Sequence, residues 1–259
     1  MAEIRENWVI EKRTIAAVSV MAVCIVAIVA ATVITMQKYR LDLPTLQNPK
    51  IKNLKIEIPN ERLESEETDK VMLYRYTSDE ETGVTIDEKA AGSASLTPEK
   101  AGQTIVEKII APMEKHGAIA YKAEVSSKEQ GPLDQETGKP IVTRNVLFSD
   151  FEINGTPLEH AEIDMTIGEN GDIWNVKNGL RPFEPYREVD IISAAEAMKR
   201  ITKDYSHFKM ERNADNLVIE NVELGYWNSD AGDYMQPVWI FKGKADGKIE
   251  AKAYVPAAK

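Results

Sequence analysis

An uncharged stretch near the N-terminus constrains this chain more than any other feature. Residues 14–36 form a run of 23 residues without a charged side chain, and its hydroxyl groups come from one serine and three threonines. An α-helix rises about 1.5 Å per residue, so a run of this length crosses a hydrocarbon core of about 30 Å. A buried core helix would normally be shorter and would have a polar face. The run therefore predicts a transmembrane helix.

A cleaved signal peptide is the main alternative for the same run. Val29, Ala30 and Ala31 resemble a small-residue cleavage site, although the apolar region of a signal peptide is usually only about 7–15 residues long. Lys38 and Arg40 follow the run as expected for a retained anchor. Basic residues flank both ends, so their count does not orient the helix. The layout of a short tail, one anchor and a large domain places residues 1–13 in the cytoplasm and the C-terminal domain outside it.

The remainder of the chain is acidic and lacks cysteine. The net charge is −10, and residues 1–36 hold three basic and three acidic side chains, so the acidic excess lies downstream. Such a surface repels phosphate backbones, which argues against nucleic acid as a partner. The single cysteine, Cys24, lies in the uncharged run, so the downstream region can form no disulfide and no thiolate metal site. This composition is typical of a prokaryotic cell-envelope protein.

The downstream region begins with a stalk and continues with alternating structure signals. Residues 37–66 contain three prolines among alternating charges and predict the stalk. Residues 71–77 predict a strand. Thr97 followed by Pro98 and Glu99 predicts the start of a helix, which Pro112 should end or kink. Strands are predicted at residues 119–125, 146–153 and 159–167, with a surface loop between the first two. Two Asn-Gly pairs predict tight hairpins that make residues 146–176 a three-stranded antiparallel meander.

A second helix and three more strands follow. Ser193 and Glu196 form a capping-box pattern at the start of the helix. Strands are predicted at residues 217–227, 235–241 and 249–255, with Asp246 and Gly247 in the last turn. The order of helix, strands and Gly-containing turn thus occurs twice, which indicates duplicated modules at residues 67–180 and 181–259.

Five short stretches resemble the PepSY superfamily, and within it the two-repeat ectodomains of YycI-type regulators of sensor kinases. In the first module they are FEINGTPL at residues 151–158 and GENGDI at 168–173; in the second they are SAAEA at 193–197 and VELGY at 222–226 with QPVW at 236–239. The resemblance covers residues 97–256. It implies an α+β fold with an N-terminal transmembrane helix and two PepSY-like repeats, each a helix packed on an antiparallel sheet. It also implies a regulatory rather than a catalytic function.

The residues themselves do not predict an enzyme, a cofactor or a metal site. His116, His160 and His207 are scattered without ligand-like spacing. The chain has no nucleophile elbow, no phosphate-binding glycine loop and no cysteine outside the uncharged run. Carboxylates are abundant enough to leave a glycosidase-type acid pair open, but any acidic surface supplies such pairs by chance.

The most conspicuous candidate for partner binding is an aromatic cluster between the second and third strands of the second module. Tyr226, Trp227 and Tyr234 flank a segment that contains Gly and Asp, and such loops can present a recognition surface. The alternative is structural, with Tyr226 and Trp227 on opposite faces of a sheet. Asn228, with the nearby aspartates, could be considered for Ca²⁺, but the spacing differs from a calcium loop.

Two functional hypotheses follow. In the first, a single-pass membrane protein binds the bilayer through residues 14–36, and its extracytoplasmic domain docks on a membrane or envelope protein such as a sensor kinase or a protease. In the second, the protein is a structural subunit of a cell-envelope or membrane assembly, with fixed stoichiometry and high abundance. Homo-oligomerisation is left open.

Overall fold

The structure is a computed structural model that describes residues 51–58, 69–77, 97–133, 138, 140–168, 171–201, 208–209, 213–229 and 232–259. The predicted cytoplasmic tail, the uncharged run at residues 14–36 and the first part of the predicted stalk lie outside these ranges. Within the described ranges, no helix has both the length and the apolar character that crossing a membrane requires.

The described residues form two helices and twelve strands. The helices are α1 (Pro98–Glu114) and α2 (Ala194–Ile201). The strands are β1 (Ile51–Ile56), β2 (Lys70–Tyr76), β3 (Ile119–Leu133), β4 (Pro140–Ile153), β5 (Thr156–Glu159), β6 (Ile163–Gly168), β7 (Ile173–Asn178), β8 (Phe183–Asp190), β9 (Phe208–Lys209), β10 (Ala214–Trp227), β11 (Tyr234–Ala245) and β12 (Ile249–Pro256).

Helix α1 packs on an antiparallel group of strands in the order β3, β4, β6, β7. Thr97 caps the helix as predicted, because its hydroxyl oxygen accepts a hydrogen bond from the Lys100 amide at 3.4 Å. Gly102 permits close approach to β4, since a Cβ at this position would lie 2.9 Å from the Phe148 ring. Pro112 lies inside the helix, which continues to Glu114. The apolar face of α1 therefore closes the first hydrophobic core.

Strands β10, β11 and β12 form a second antiparallel group, on which α2 packs. The Ser193 hydroxyl accepts a hydrogen bond from the Glu196 amide at 3.1 Å, which confirms the hydroxyl half of the predicted capping box. Trp239 is fully buried, and its indole N–H donates to the Ile192 carbonyl at 2.9 Å. This hydrogen bond attaches the segment before α2 to the second core.

These two groups of strands are not separate modules. Strands β1 and β5 both pair with β10 in parallel, and β2 connects β11 to β8. The twelve described strands consequently form one large mixed sheet. The predicted α+β architecture of two PepSY-like repeats, each a helix on its own antiparallel sheet, is wrong, and the described residues hold no transmembrane helix. Side-chain periodicity identifies strands, but it does not report which distant strand each one pairs with.

Several element boundaries also differ from the prediction. Strand β1 falls within the predicted stalk, but its six residues belong to the sheet, where Leu54 aligns with Leu217 of β10. Strands β3 and β4 extend far into the predicted surface loop between them. The strand predicted at residues 159–167 is divided between β5 and β6. The meander of β4, β6 and β7 and the turn at Asp246 and Gly247 are confirmed.

Candidate functional site

Tyr226 and Trp227, two of the predicted partner-binding residues, lie on opposite faces of β10 because successive strand residues alternate. Tyr226 is 6% exposed and belongs to the first core. Its hydroxyl donates to the Met72 carbonyl at 2.7 Å, and its ring meets the Tyr74 ring edge-on at 5.2 Å. Burial raises the pKa of Tyr226. Its side chain therefore joins β10 to β2 and is not available at the surface.

Trp227 is 3% exposed and packs in a small separate cluster with Val238, Ile240 and Tyr254. The His160 imidazole stacks on the indole ring with centroids 5.2 Å apart and ring planes only 5° from parallel. The Trp227 indole N–H is buried without a hydrogen-bond acceptor among the described residues. The segment that contains His160 thus covers this face of the second strand group.

The third predicted residue, Tyr234, is half-buried and lies away from Tyr226 and Trp227. It contacts Tyr186, an exposed residue that was not among the predicted binding residues. The Tyr186 ring is 5.3 Å from the Tyr234 ring, and Tyr186 is 45% exposed. The Arg75 and Arg187 guanidinium groups lie 5.5 Å and 5.7 Å from the centroid of the Tyr186 ring. Both distances allow a cation–π attraction. We call Arg75, Tyr186, Arg187 and Tyr234 the tyrosine–arginine surface.

Three strands hold the tyrosine–arginine surface in place. Tyr234 of β11 aligns with Arg75 of β2, and β2 pairs along its length with β8, which contains Tyr186 and Arg187. Arg75 also forms an ion pair with Glu184 of β8, and this hydrogen bond holds the pKa of the Glu184 carboxyl below its ordinary value. Tyr-Arg at positions 186–187, within a strand of mostly exposed residues, is the sequence signal that would have indicated this surface.

A buried hydrogen-bond network holds Asn228 and Ser229, the two residues directly after β10. The Asn228 side chain is fully buried and donates to the carbonyls of His160 and Gly179. The Tyr76 hydroxyl donates to Asn228 Oδ1 at 3.1 Å and accepts from the Ser229 amide at 2.8 Å. Asn228 is consequently occupied as a structural residue rather than free to bind Ca²⁺. No group of residues suited to holding a metal ion occurs within the described ranges.

A second feature is a cavity of about 310 Å³ between β4, the segment after β5 and the outer side of β11 and β12. We call it the polar groove. Its charged lining comprises four carboxylates, three lysines and one histidine: Asp150, Glu152, Glu159, Glu162, Lys122, Lys242, Lys252 and His160. Both halves of the sequence contribute to it, and the pairing of β5 with β10 joins them beside the groove.

Ion pairs organise the lining of the groove. Glu159 has a side chain that is only 11% exposed, and it accepts hydrogen bonds from Lys252 at 2.6 Å and from the Tyr254 hydroxyl at 2.8 Å. Burial, together with the adjacent Glu159 charge, raises the pKa of Tyr254. The Lys122 ammonium lies 2.8 Å from Asp150 in a much more exposed pair. This hydrogen bond holds the pKa of Asp150 below its ordinary value, with further contributions from Lys252 and Lys242.

Two residues of the groove have a left-handed backbone conformation. The φ angles are 49° at Asp150 and 62° at His160. Two other non-glycine residues with positive φ, Asn154 and Asp246, each precede a positive-φ glycine in a tight hairpin turn, but neither groove residue does. A left-handed non-glycine residue costs on the order of 1–3 kcal/mol and is found more often at functional sites.

Comparisons with known proteins add little to this geometry. No family model matches the chain, and no curated protein matches it. A solved structure of an uncharacterized protein from Eubacterium rectale ATCC 33656 is similar over 72% of this chain, with 14% sequence identity and a TM-score of 0.30. The match spans 64% of that protein's own chain.

Proposed function

We propose that this protein is a non-catalytic, membrane-attached binding protein that docks on a membrane or envelope protein through the tyrosine–arginine surface. The supporting observation is the exposed Tyr186 ring, which lies beside Tyr234 and within 6 Å of the guanidinium groups of Arg75 and Arg187. Tyr and Arg are among the residues that most often dominate the binding energy of protein interfaces.

The surface is preorganised, which favours binding. Tyr186 and Arg187 are on a strand that pairs with β2, and Tyr234 is on β11, which also pairs with β2. Because these residues already lie in paired strands, binding a partner here costs less conformational entropy than binding that must first order a loop.

The chemistry of the surface favours a partner that presents a carboxylate beside an apolar or aromatic group. The Arg75 and Glu184 side chains are 49% and 35% exposed, so their ion pair contributes little stability and can exchange for a partner's carboxylate. The exposed Tyr186 ring supplies the adjacent apolar contact. We further propose that the partner is a sensor kinase or a protease.

Membrane attachment is proposed from the sequence. The uncharged run at residues 14–36 has the length of a bilayer-spanning helix, and it precedes the described domain. Protease added to intact cells is expected to digest the C-terminal portion. Survival of that portion would contradict the extracytoplasmic placement, and a mature chain that begins after the run would contradict the membrane anchor.

The docking proposal is tested by crosslinking the full chain in native membranes and purifying it with its partners. We expect one membrane or envelope protein to co-purify with the unmodified chain. Tyr186→Ala and Tyr234→Ala should each reduce its recovery by about tenfold or more, as for a hot-spot residue. Trp174→Ala is the matched control, because Trp174 is a similarly exposed aromatic residue (43%) on a different strand, β7.

Two results would contradict the proposal. Equal loss of the partner in the Trp174 variant and the tyrosine variants would show that the tyrosine–arginine surface has no special role. Recovery of an abundant assembly with fixed stoichiometry, unaffected by the tyrosine variants, would favour the structural-subunit hypothesis instead.

A further inference from the structure

We infer that the polar groove is a second binding site, for a small zwitterionic molecule of about the size of an amino acid or a dipeptide. None of the residues of the tyrosine–arginine surface lines the groove. The inference is therefore independent of the docking proposal, and each can fail without the other.

The size of the groove limits the ligand. Its volume of about 310 Å³ lies at the lower end of the range of about 300–1,000 Å³ that is usual for small-molecule sites. The lining is mainly polar and charged, so a lipid chain or an aromatic drug-like molecule is a poor match. A compact polar molecule fits both the volume and the chemistry.

The charges of the lining select a molecule with both signs of charge. Four carboxylates and three ammonium groups line the same small volume. A simple anion placed near the lysines would also lie near the carboxylates, and a simple cation would meet the lysines. A ligand with an ammonium at one end and a carboxylate at the other can pair each end with its opposite. Charge complementarity of this kind gives specificity as well as affinity.

Of two ion pairs in the groove lining, one is fixed and the other can exchange partners. Glu159 is nearly buried, and Lys252 and Tyr254 both donate hydrogen bonds to it, so this pair is already satisfied. In the other ion pair of the groove, Lys122 is 72% exposed and Asp150 is 57% exposed. An ion pair that is so exposed contributes little and opens at low cost. We assign Lys122 to the ligand's carboxylate and Asp150 to its ammonium.

The backbone is irregular at Asp150, which lines the groove. Asp150 lies within β4, where the register between β3 and β4 shifts next to Lys122, and it adopts the left-handed conformation without being in a glycine turn. His160 adopts the same conformation directly after β5, lines the groove and stacks on Trp227. The concentration of unusual backbone conformations at one cavity fits a site shaped for binding.

The test is calorimetric titration of the full chain in detergent with glycylglycine, and with acetate and methylamine as single-charge probes. We expect saturable binding of glycylglycine and at least about tenfold weaker binding of either single-charge probe. Asp150→Asn and Lys122→Gln should each weaken glycylglycine binding by about tenfold, because each removes one of the two charged contacts. Tyr186→Ala should leave glycylglycine binding unchanged.

The matched control is the ion pair of Lys52 and Asp215, which has nearly the same length, 2.6 Å, and similar exposure, 73% and 66%, but joins β1 to β10 outside the groove. Lys52→Gln and Asp215→Asn should not change glycylglycine binding. Absence of saturable binding would overturn the inference, as would equally tight binding of acetate or methylamine. Equal effects of the groove and control variants would overturn it as well.

Discussion

The hydroxyl of Tyr76 donates a hydrogen bond of 3.1 Å to the side chain of Asn228, a residue 152 positions later in the chain, and both groups are buried. Through Asn228 the same network reaches the backbone at His160 and Gly179. Four segments that are distant in sequence are thereby held together at one point between the two strand groups.

Asn228→Ala should therefore destabilise the protein strongly. The substitution removes three hydrogen bonds, one of them buried and two partly buried. At about 1 kcal/mol for each, the free energy of unfolding should fall by about 3 kcal/mol. Urea denaturation of the full chain measures this loss. Asn53→Ala, which removes an exposed side-chain hydrogen bond, should change the unfolding free energy by no more than about 0.5 kcal/mol.

Glu159→Gln should be destabilising because Glu159 is the acceptor that connects β5 to Lys252 and Tyr254 of β12. A glutamine keeps the shape but removes the carboxylate that pairs with the Lys252 ammonium, whose side chain is 37% exposed. We expect a loss of about 2 kcal/mol in unfolding free energy. Glu196→Gln breaks an exposed helix ion pair with Arg200 and should cost less than about 0.5 kcal/mol. Similar losses in the two variants would contradict the role assigned to Glu159.

The acid stability of the protein should depend in part on Asp150. The Lys122 hydrogen bond makes the pKa of Asp150 lower in the folded than in the unfolded state. Its stabilising contribution is thus fully present above the ordinary aspartate pKa of about 4 and is lost as the pH falls through the lowered value. Because the pair is exposed, the contribution should be only a few tenths of a kcal/mol.

A comparison of the unmodified chain with Asp150→Asn in denaturation experiments between about pH 7 and pH 2 tests this expectation. The difference in unfolding free energy should shrink as the solution becomes more acidic. A difference that stays constant over the whole range would show that the Asp150 charge has no stabilising role.

Gly243→Ala should disrupt the pairing of β10 with β11. A Cβ at Gly243 would overlap the Val218 carbonyl oxygen and lie 2.8 Å from the Ile219 Cα, and both are backbone atoms that cannot move aside easily. The register of β10 shifts between Ile219 and Asn221, directly beside this contact. We expect a loss of at least about 2 kcal/mol, measured by denaturant unfolding.

Gly232→Ala is the control, because the nearest atom to its added Cβ would be a serine hydroxyl at 3.3 Å. This variant should lose no more than about 1 kcal/mol. Equal stability of the two variants would show that the close backbone approach at Gly243 does not limit the sheet.

Local sequence signals determined most of the elements. The Thr97 and Ser193 caps, the turn at Asp246 and the alternation along β6 were predictable because each depends on residues a few positions apart.

The tertiary structure alone decided how these elements combine. Pairing of β5 and β1 with β10, and of β2 with β11, joins strands separated by long stretches of chain, and no periodic pattern records such partners. The same long-range pairing buried Tyr226 and Trp227, placed Tyr186 beside Tyr234 and assembled the polar groove from both halves of the sequence. Local backbone preferences therefore determined the strands, whereas burial of apolar surface between distant segments determined the sheet and its sites.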